Sequence, residues 1–416
     1  MNQNRIGILH YASPPIIGGV ESTIYHHALQ LSKAGFVVEV ISGRGEQFHP
    51  QINFHLIPEV GSRLPELRRI NSALANGELI PEFHSLRDRL VEQLKPIFSE
   101  LDVCIIHNVF TLHKNLALTA ALHQLAEARL TPYIAWCHDF AWLDNLYTSD
   151  LHPGYPWDLL KSVWQGVKYV TVSNHRRKRL ARLAGLSLDE IDVITPGIDV
   201  SEFFKLEPLT CQLIDRLKLL KARPLLMLPA RVTRRKNIEF GIQVIGALTR
   251  QFPDAVLIIT GPPGPHSPNN IAYLESLNSL VVEKGLTENV RFLYQFGEFD
   301  QPLYLPDQVV ADFYRLADLL IFPSFREGFG IPVLEAGLMH LPIFAADIPP
   351  IRESAGEAAY LFNPTGDPNL VADAIASHLK MDKRYHLKRR VLGKYTWESI
   401  VDNKVIPILQ EVIQGG

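Results

Sequence analysis

A chain of 416 residues, 47% hydrophobic and 20% charged, has ordinary globular composition and room for two or three packed domains. Its formal net charge of −3 argues against a nucleic-acid binder, which carries a basic excess. Three cysteines, Cys104, Cys137 and Cys211, form neither a CxxC pair nor an even framework, which argues against structural disulfides and a zinc site. Cys104 and Cys137 lie in apolar runs and read as small buried hydrophobes.

The chain opens on a strand at 6–10 with no signal-type apolar stretch before it, and no run of about eighteen apolar residues follows anywhere. The expected location is cytoplasmic without a membrane span, with peripheral membrane contact left open. Further strands are predicted at 37–42, 53–57, 103–107, 133–137, 169–172 and 192–195, with a helix over 22–34 between Gly18-Gly19 and the capping Gly35. Residues 62–100 read as helices with a long connection, and 175–182 as the solvated basic face of a helix. Pro196-Gly197, Pro208 and a polar stretch then interrupt the pattern, placing a domain junction near residue 205. Beyond it, strands are predicted at 225–228, 256–260, 290–293, 319–322, 343–345 and 359–361. A helix begins at Ser267-Pro268, and an amphipathic helix closes the chain over 397–414. Strands alternating with helices throughout predict parallel sheets covered by helices, as two doubly wound domains in tandem. Ligands of such domains bind at the carboxyl edges of the strands.

Chemistry concentrates late in the chain. Glu327 and Glu335 bracket a Gly328-Phe329-Gly330 turn between the strand at 319–322 and a helix over 332–339 whose first position is Pro332. Strand, glycine turn and helix N-terminus together present bare N–H groups to an anion, and the glycines permit close approach. Two acids beside an anion site suit a ligand with phosphates and hydroxyls, which a sugar nucleotide combines. Val333, Leu334, Ala336 and Gly337 are read as packed positions around Glu335. Arg231 and Lys236 follow the first strand of the second domain and suit a diphosphate that gains charge as it leaves. Arg234 and Arg235 are left on the surface or at the domain interface. His138 ends an apolar strand, and no partner at metal-ligand spacing accompanies it.

The Glu-x7-Glu segment resembles the signature of the retaining glycosyltransferases of family 4, which have the GT-B fold. Four other segments match in order: 6–21 with its Gly18-Gly19 loop, 135–139 around His138, Val172-Ser173 with Pro196–Asp199 as late strands of the first domain, and 229–237 as an Arg-x4-Lys clamp. The resemblance covers nearly the whole chain. It implies an α/β fold of two Rossmann-like doubly wound domains facing a central cleft. These are an acceptor domain at 1–205, a nucleotide-sugar domain at 206–395, and a helix at 396–416 returning to the first. It implies a catalytic set of His138, Glu327, Arg231 and Lys236, with Glu327 under the sugar ring and Glu335 on the ribose hydroxyls. Donor contacts are expected from Gly18, Gly19, Gly261, Gly328, Phe329, Gly330, Ile331 and Leu334 besides Arg231, Lys236 and Glu335. The expected activity is metal-independent, retaining transfer of a hexose, glucose or mannose, from a UDP- or GDP-sugar to a hydroxyl acceptor, with no cofactor.

Acceptor contacts are expected from His107, Asn108, Asp139 and Tyr147, which follow strands of the first domain, with His113, Asn115 and Asp144 nearby. The Gly261–Pro268 stretch is longer and richer in proline than the family's turn, which leaves the base open, as the acceptor and the oligomeric state are open. An oxidoreductase would need Gly-x-Gly-x-x-Gly, but Phe48 stands where the third glycine after Gly43 and Gly45 belongs. A sugar-nucleotide epimerase and a non-catalytic sugar-nucleotide binder are the alternatives that share the fold.

Overall fold

The computed structural model describes residues 3–265 and 269–415. The chain forms two compact units, Met1–Ile198 with Tyr395–Gly416, and Asp199–Lys394. The first holds β1 (Arg5–His10), β2 (Val37–Ser42), β3 (Ile52–Leu56), β4 (Val103–His107), β5 (Tyr133–Cys137), β6 (Val167–Thr171) and β7 (Ile191–Val193). They pair in the order β3-β2-β1-β4-β5-β6-β7, every pair parallel. Apolar residues alternate between two buried faces: Leu9, Cys104, Ile106 and Ala135 join one core, and Ile6, Ile8, Ile105 and Ile134 the other. Both faces are covered, which is why these strands read as unbroken apolar runs. Cys104 and Cys137 have no exposed surface and, like Cys211, are unpaired.

The second unit holds β8 (Leu225–Leu228), β9 (Val256–Ile259), β10 (Val290–Phe292), β11 (Leu319–Phe322), β12 (Ile343–Ala346) and β13 (Tyr360–Phe362). Their order is β10-β9-β8-β11-β12-β13, again all parallel. Both sheets are doubly wound in the Rossmann manner, and strand order reverses between β1 and β4 in one and between β8 and β11 in the other. Beneath β8 and β11, the buried Asp318 accepts from the Leu225 N–H at 2.7 Å and pairs with Arg389 at 2.6 Å, fixing the two strands side by side.

Several expectations need correction. Val172-Ser173 and Pro196–Asp199 lie past strand ends rather than in strands. Ser173 accepts from the Arg176 N–H as a helix cap, and Asp199 caps the helix Val200–Phe204. The closing helix runs unbroken over 397–415, as expected, but it is not α-helical throughout: Trp397–Ile400 passes through a π-helical turn, Val401–Val405, into Ile406–Gly415. Pro407 explains the widening, since it lacks an N–H and its ring crowds the carbonyl four residues back. Ile400, Val401, Val405, Ile408 and Leu409 of this segment complete the first unit's core against Ile6, Ile8 and Trp136. Gly43 is a packing glycine, because a Cβ there would meet the Gly61 nitrogen at 2.0 Å. The helix start expected at Ser267-Pro268 lies outside the described residues. Among the described residues, no helix is long and apolar enough to cross a membrane.

Candidate active site

In the second unit the chain leaves β8 through Pro229 and Arg231, makes one 3-10 turn at Arg234–Lys236, and reaches Asn237 in a left-handed conformation (φ 50°). The neighbouring β11 ends at Phe322 and runs into Pro323–Glu327. Adjacent strands at a reversal of strand order send their loops apart, and the gap between them is where such sheets bind ligands. Here the loops are stitched together. The Phe325 N–H donates to the Arg235 carbonyl at 2.9 Å, and Asn237 Nδ2 donates to the carbonyls of Pro323 (3.1 Å) and Pro364 (2.9 Å).

The stitching brings Lys236 Nζ to 2.5 Å from Glu327 Oε1, with each side chain only 9% exposed. Burial pulls the Lys236 pKa below its ordinary value, and the carboxylate partly offsets this. Arg235 is exposed, as expected, and also reaches the pair, at 3.3 Å from Glu327 Oε2. Arg234 lies over the Tyr273 ring instead. Arg231 is exposed and has no ion-pair partner among the described residues. The structure therefore joins Lys236 and Glu327 directly and leaves the Arg231 charge unneutralised by protein.

Glu335 sits on the helix Ile331–Leu338, where Tyr314 Oη donates to its Oε2 at 2.5 Å. Burial, and then the carboxylate itself, push the Tyr314 pKa up, so the hydroxyl keeps its proton and aims the acid. The packed surroundings expected for Glu335 are corrected. This short helix buries only Val333 and Ala336, three apart on one face, while Leu334, Glu335 and Gly337 face outward. Phe329, Ile331 and Leu334 are 42%, 62% and 44% exposed, an apolar border beside the carboxylate. Gly330 caps this helix at φ 92°, and a Cβ would also strike Ile351 at 2.5 Å; at Gly328 a Cβ would meet open space. The fold thus requires the first glycine and not the second. Gly261 has a packing reason of its own, because a Cβ there would lie 2.3 Å from the Ala230 carbonyl.

In the first unit, His138 follows β5 and Asn108 follows β4 at φ 62°. Asn108 Oδ1 accepts from the N–H groups of His138 (2.8 Å) and Asp139 (3.2 Å), fixing the loop. His107 Nδ1 lies 3.1 Å from His138 Nε2, while His107 Nε2 is buried without a partner. A buried orphan N–H costs more than a buried lone pair, so the proton belongs on His107 Nδ1. His138 Nε2 then accepts, and His138 presents Nδ1–H as its donor. Burial holds the His138 pKa down to about 4, with Asp139 opposing and Arg176 reinforcing, so the ring is a neutral donor near pH 7. Nitrogen-15 NMR should find His138 as one Nδ1–H tautomer and as a mixture in His107→Phe; a native Nε2–H signal would refute the assignment.

Two of the residues expected at the acceptor also hold the fold together. His107 is fully buried against His138 and the aromatic rings, and the Asn108 oxygen is occupied by the two N–H groups. Asp139 is bound to Arg176 at 3.0 Å, and Tyr147 lies against the His113 ring. Gly18 caps the helix Gly19–Lys33 with the Glu21 carboxylate folded close to it; at Gly19 a Cβ would meet nothing. Sequence reasoning missed Arg235, Tyr314, Asn237 and His10. Only Asn237, in the left-handed region that asparagine tolerates, carried a local signal.

Two doubly wound parallel units in one chain are the construction of the GT-B fold. The description "Glycosyl transferases group 1" matches residues 213–396, and "Glycosyltransferase Family 4" matches residues 17–202. The D-inositol 3-phosphate glycosyltransferase of Nocardia farcinica is 24% identical over 83% of this chain and 74% of that protein. The mannosylglucosylglycerate synthase of Petrotoga mobilis is 21% identical over 60% of each, so the alignment spans less than two thirds of that relative. Among solved structures, a glycosyltransferase from Rickettsia africae aligns over 100% of both chains at 16% identity and a TM-score of 0.39. The chain belongs to glycosyltransferase family 4 and is a sugar-transferring enzyme.

Proposed function

We propose that this enzyme moves a hexose from an α-linked nucleotide sugar to a hydroxyl acceptor with retention and without a metal. The observation that carries the reading is the buried Lys236–Glu327 pair beside the Tyr314-held Glu335. Lys236 gives one of its three N–H donors to Glu327 and keeps two for diphosphate oxygens. Arg231 adds a second, unpaired charge, so the leaving diphosphate is neutralised by protein. No Asp-x-Asp triplet that would hold Mg²⁺ occurs in the sequence. Glu335 takes ribose hydroxyls, and Phe329, Ile331 and Leu334 offer apolar surface to the nucleotide. Glu327 takes hydroxyls of the transferred sugar.

Attack and departure share one face through an oxocarbenium-like state, and the diphosphate accepts the acceptor proton. The name of one relative, mannosylglucosylglycerate synthase, supports a mannosyl or glucosyl donor. The unpaired cysteines fit a reducing cytoplasm.

A thermal-shift panel of UDP-, GDP- and ADP-sugars identifies the donor, because bound ligand stabilises by mass action. Proton NMR of fresh product should then show the α anomer, with turnover unchanged in EDTA. A β signal would overturn retention, loss in EDTA restored by Mg²⁺ would overturn metal independence, and a covalent adduct on Glu327 would overturn the same-face mechanism.

A further inference from the structure

The first unit contains a cavity of about 530 Å³ beside the end of β1. That is within the usual range for a small-molecule site, roughly 300–1,000 Å³. Its wall gathers His10 from β1, Arg44 beyond β2, Arg63 beyond β3, Asn71 from the helix Pro65–Ala75, and His113 and Lys114 beyond β4. Three buried polar atoms of this wall have no protein partner: Arg44 Nε, Asn71 Oδ1 and His113 Nδ1. Buried polar atoms are nearly always paired, so three orphans on one cavity point to a ligand that pairs them.

Their chemistry is mixed. Arg44 Nε donates, whereas Asn71 Oδ1 accepts, its orientation fixed by Nδ2 donating to the Lys114 carbonyl at 3.1 Å. His10 Nδ1 donates to the His107 carbonyl at 2.9 Å, leaving Nε2 with a lone pair. Donors interleaved with acceptors match hydroxyl groups, each of which does both.

The charges are lopsided. Arg44, Arg63 and Lys114 have no acidic partner among the described residues. All three line this one cavity. The two acids of the wall are engaged locally: Glu21 folds against Gly18, and Asp150 accepts from Ser149 Oγ at 2.9 Å and faces His113. We infer that this cavity is the acceptor site and takes a small polyhydroxylated molecule bearing a phosphate group, held by Arg44, Arg63 and Lys114. The acceptor role rests on the transferase reading above; the recognition of phosphate does not.

The test is calorimetric titration of the full chain with inorganic phosphate and with a panel of phosphorylated polyols and sugars, each beside its unphosphorylated parent. Phosphatidylglycerol vesicles beside phosphatidylcholine vesicles tell a lipid headgroup from a free ester. Phosphorylated compounds should bind where their parents do not, and Arg63→Gln with Lys114→Gln should weaken them about tenfold while melting as native. Equal binding of esters and parents, esters indifferent to the double substitution, or no phosphate compound or anionic vesicle bound at millimolar concentration overturns the inference. Nucleotide-sugar turnover measured in parallel separates the two ideas. Intact donor turnover without phosphate recognition sinks this inference alone, and phosphate recognition without any donor turnover sinks the transferase reading alone.

Discussion

Arg231→Ala and Lys236→Ala should both abolish most transfer and differ in what they do to the fold. Removing one preorganised charge from a developing anion costs about 3 to 4 kcal/mol of barrier, a hundredfold or more in rate. Arg231 is exposed and unpaired, so its loss should leave the melting temperature where it was. Lys236 is different, because its departure strands the Glu327 carboxylate, 9% exposed, with only the more distant Arg235 to compensate. Breaking a buried pair from one side costs about 3 to 5 kcal/mol. Lys236→Ala should therefore melt several degrees lower, and adding Glu327→Gln should recover most of that stability with no recovery of turnover. Initial rates and thermal melts on the four proteins test this. Native rates in the Arg231→Ala, Lys236→Ala double variant would end the assignment of both cations.

Stability should fall steeply below pH 6.5, and the first unit should carry the loss. Burial holds His10 and His27 down to about 3, and His138 to about 4, against an ordinary value of 6.5; neighbouring histidines push His27 further the same way. Above pH 6.5 these rings are neutral whether the chain is folded or not, so their burial costs nothing extra. As pH falls from 6.5 toward 3, the unfolded chain takes up protons that the folded rings refuse, which favours unfolding by about 1 kcal/mol per pH unit for each ring. Three such rings approach the whole stability of a domain, ~5–15 kcal/mol, by about pH 4. His27 is the sharpest probe. Both its ring nitrogens are buried without partners, and Trp136, Trp397 and His107 surround it. His27→Phe should keep or raise stability at pH 8 and make the acid slope shallower. Tryptophan-fluorescence melts from pH 4 to 8 decide it: a flat profile, or an unchanged slope in His27→Phe, contradicts the account.

How much was legible beforehand follows from which forces act locally. Strands 103–107, 133–137, 225–228 and 319–322 were bounded correctly because burial on both faces makes them unbroken apolar runs with polar or turn residues at each end. β6 was placed two residues late at its start, because Lys168 looks like loop. Its ammonium instead bridges Asp192 and Glu411, a partner 243 residues away. The π-helical turn was hidden because amphipathic periodicity does not register one extra residue per turn. At the site, Lys236 and Glu327 stood out through residue type and loop position. Arg235 did not, since nothing local separates it from Arg234; the Phe325–Arg235 backbone bond and the Arg326 carbonyl, which accepts from Arg235 Nη1, hold it beside Glu327. The cavity wall was illegible for the same reason. Its residues leave β1, β2, β3, β4 and a helix, and converge only through the sheet order.

The closing segment has a consequence for how the protein is made. Ile198 donates to the Tyr395 carbonyl at 2.8 Å and accepts from the Trp397 N–H at 3.2 Å, so the chain leaves the first unit and rejoins it at one spot. The second unit is, in chain terms, an insertion. A ribosome finishes all of it before Val401, Val405 and Leu409 emerge to cover Ile6, Ile8 and Trp136. Although it begins first, the amino-terminal unit is the last to be completed, and its newborn apolar face waits uncovered through nearly two hundred residues of synthesis.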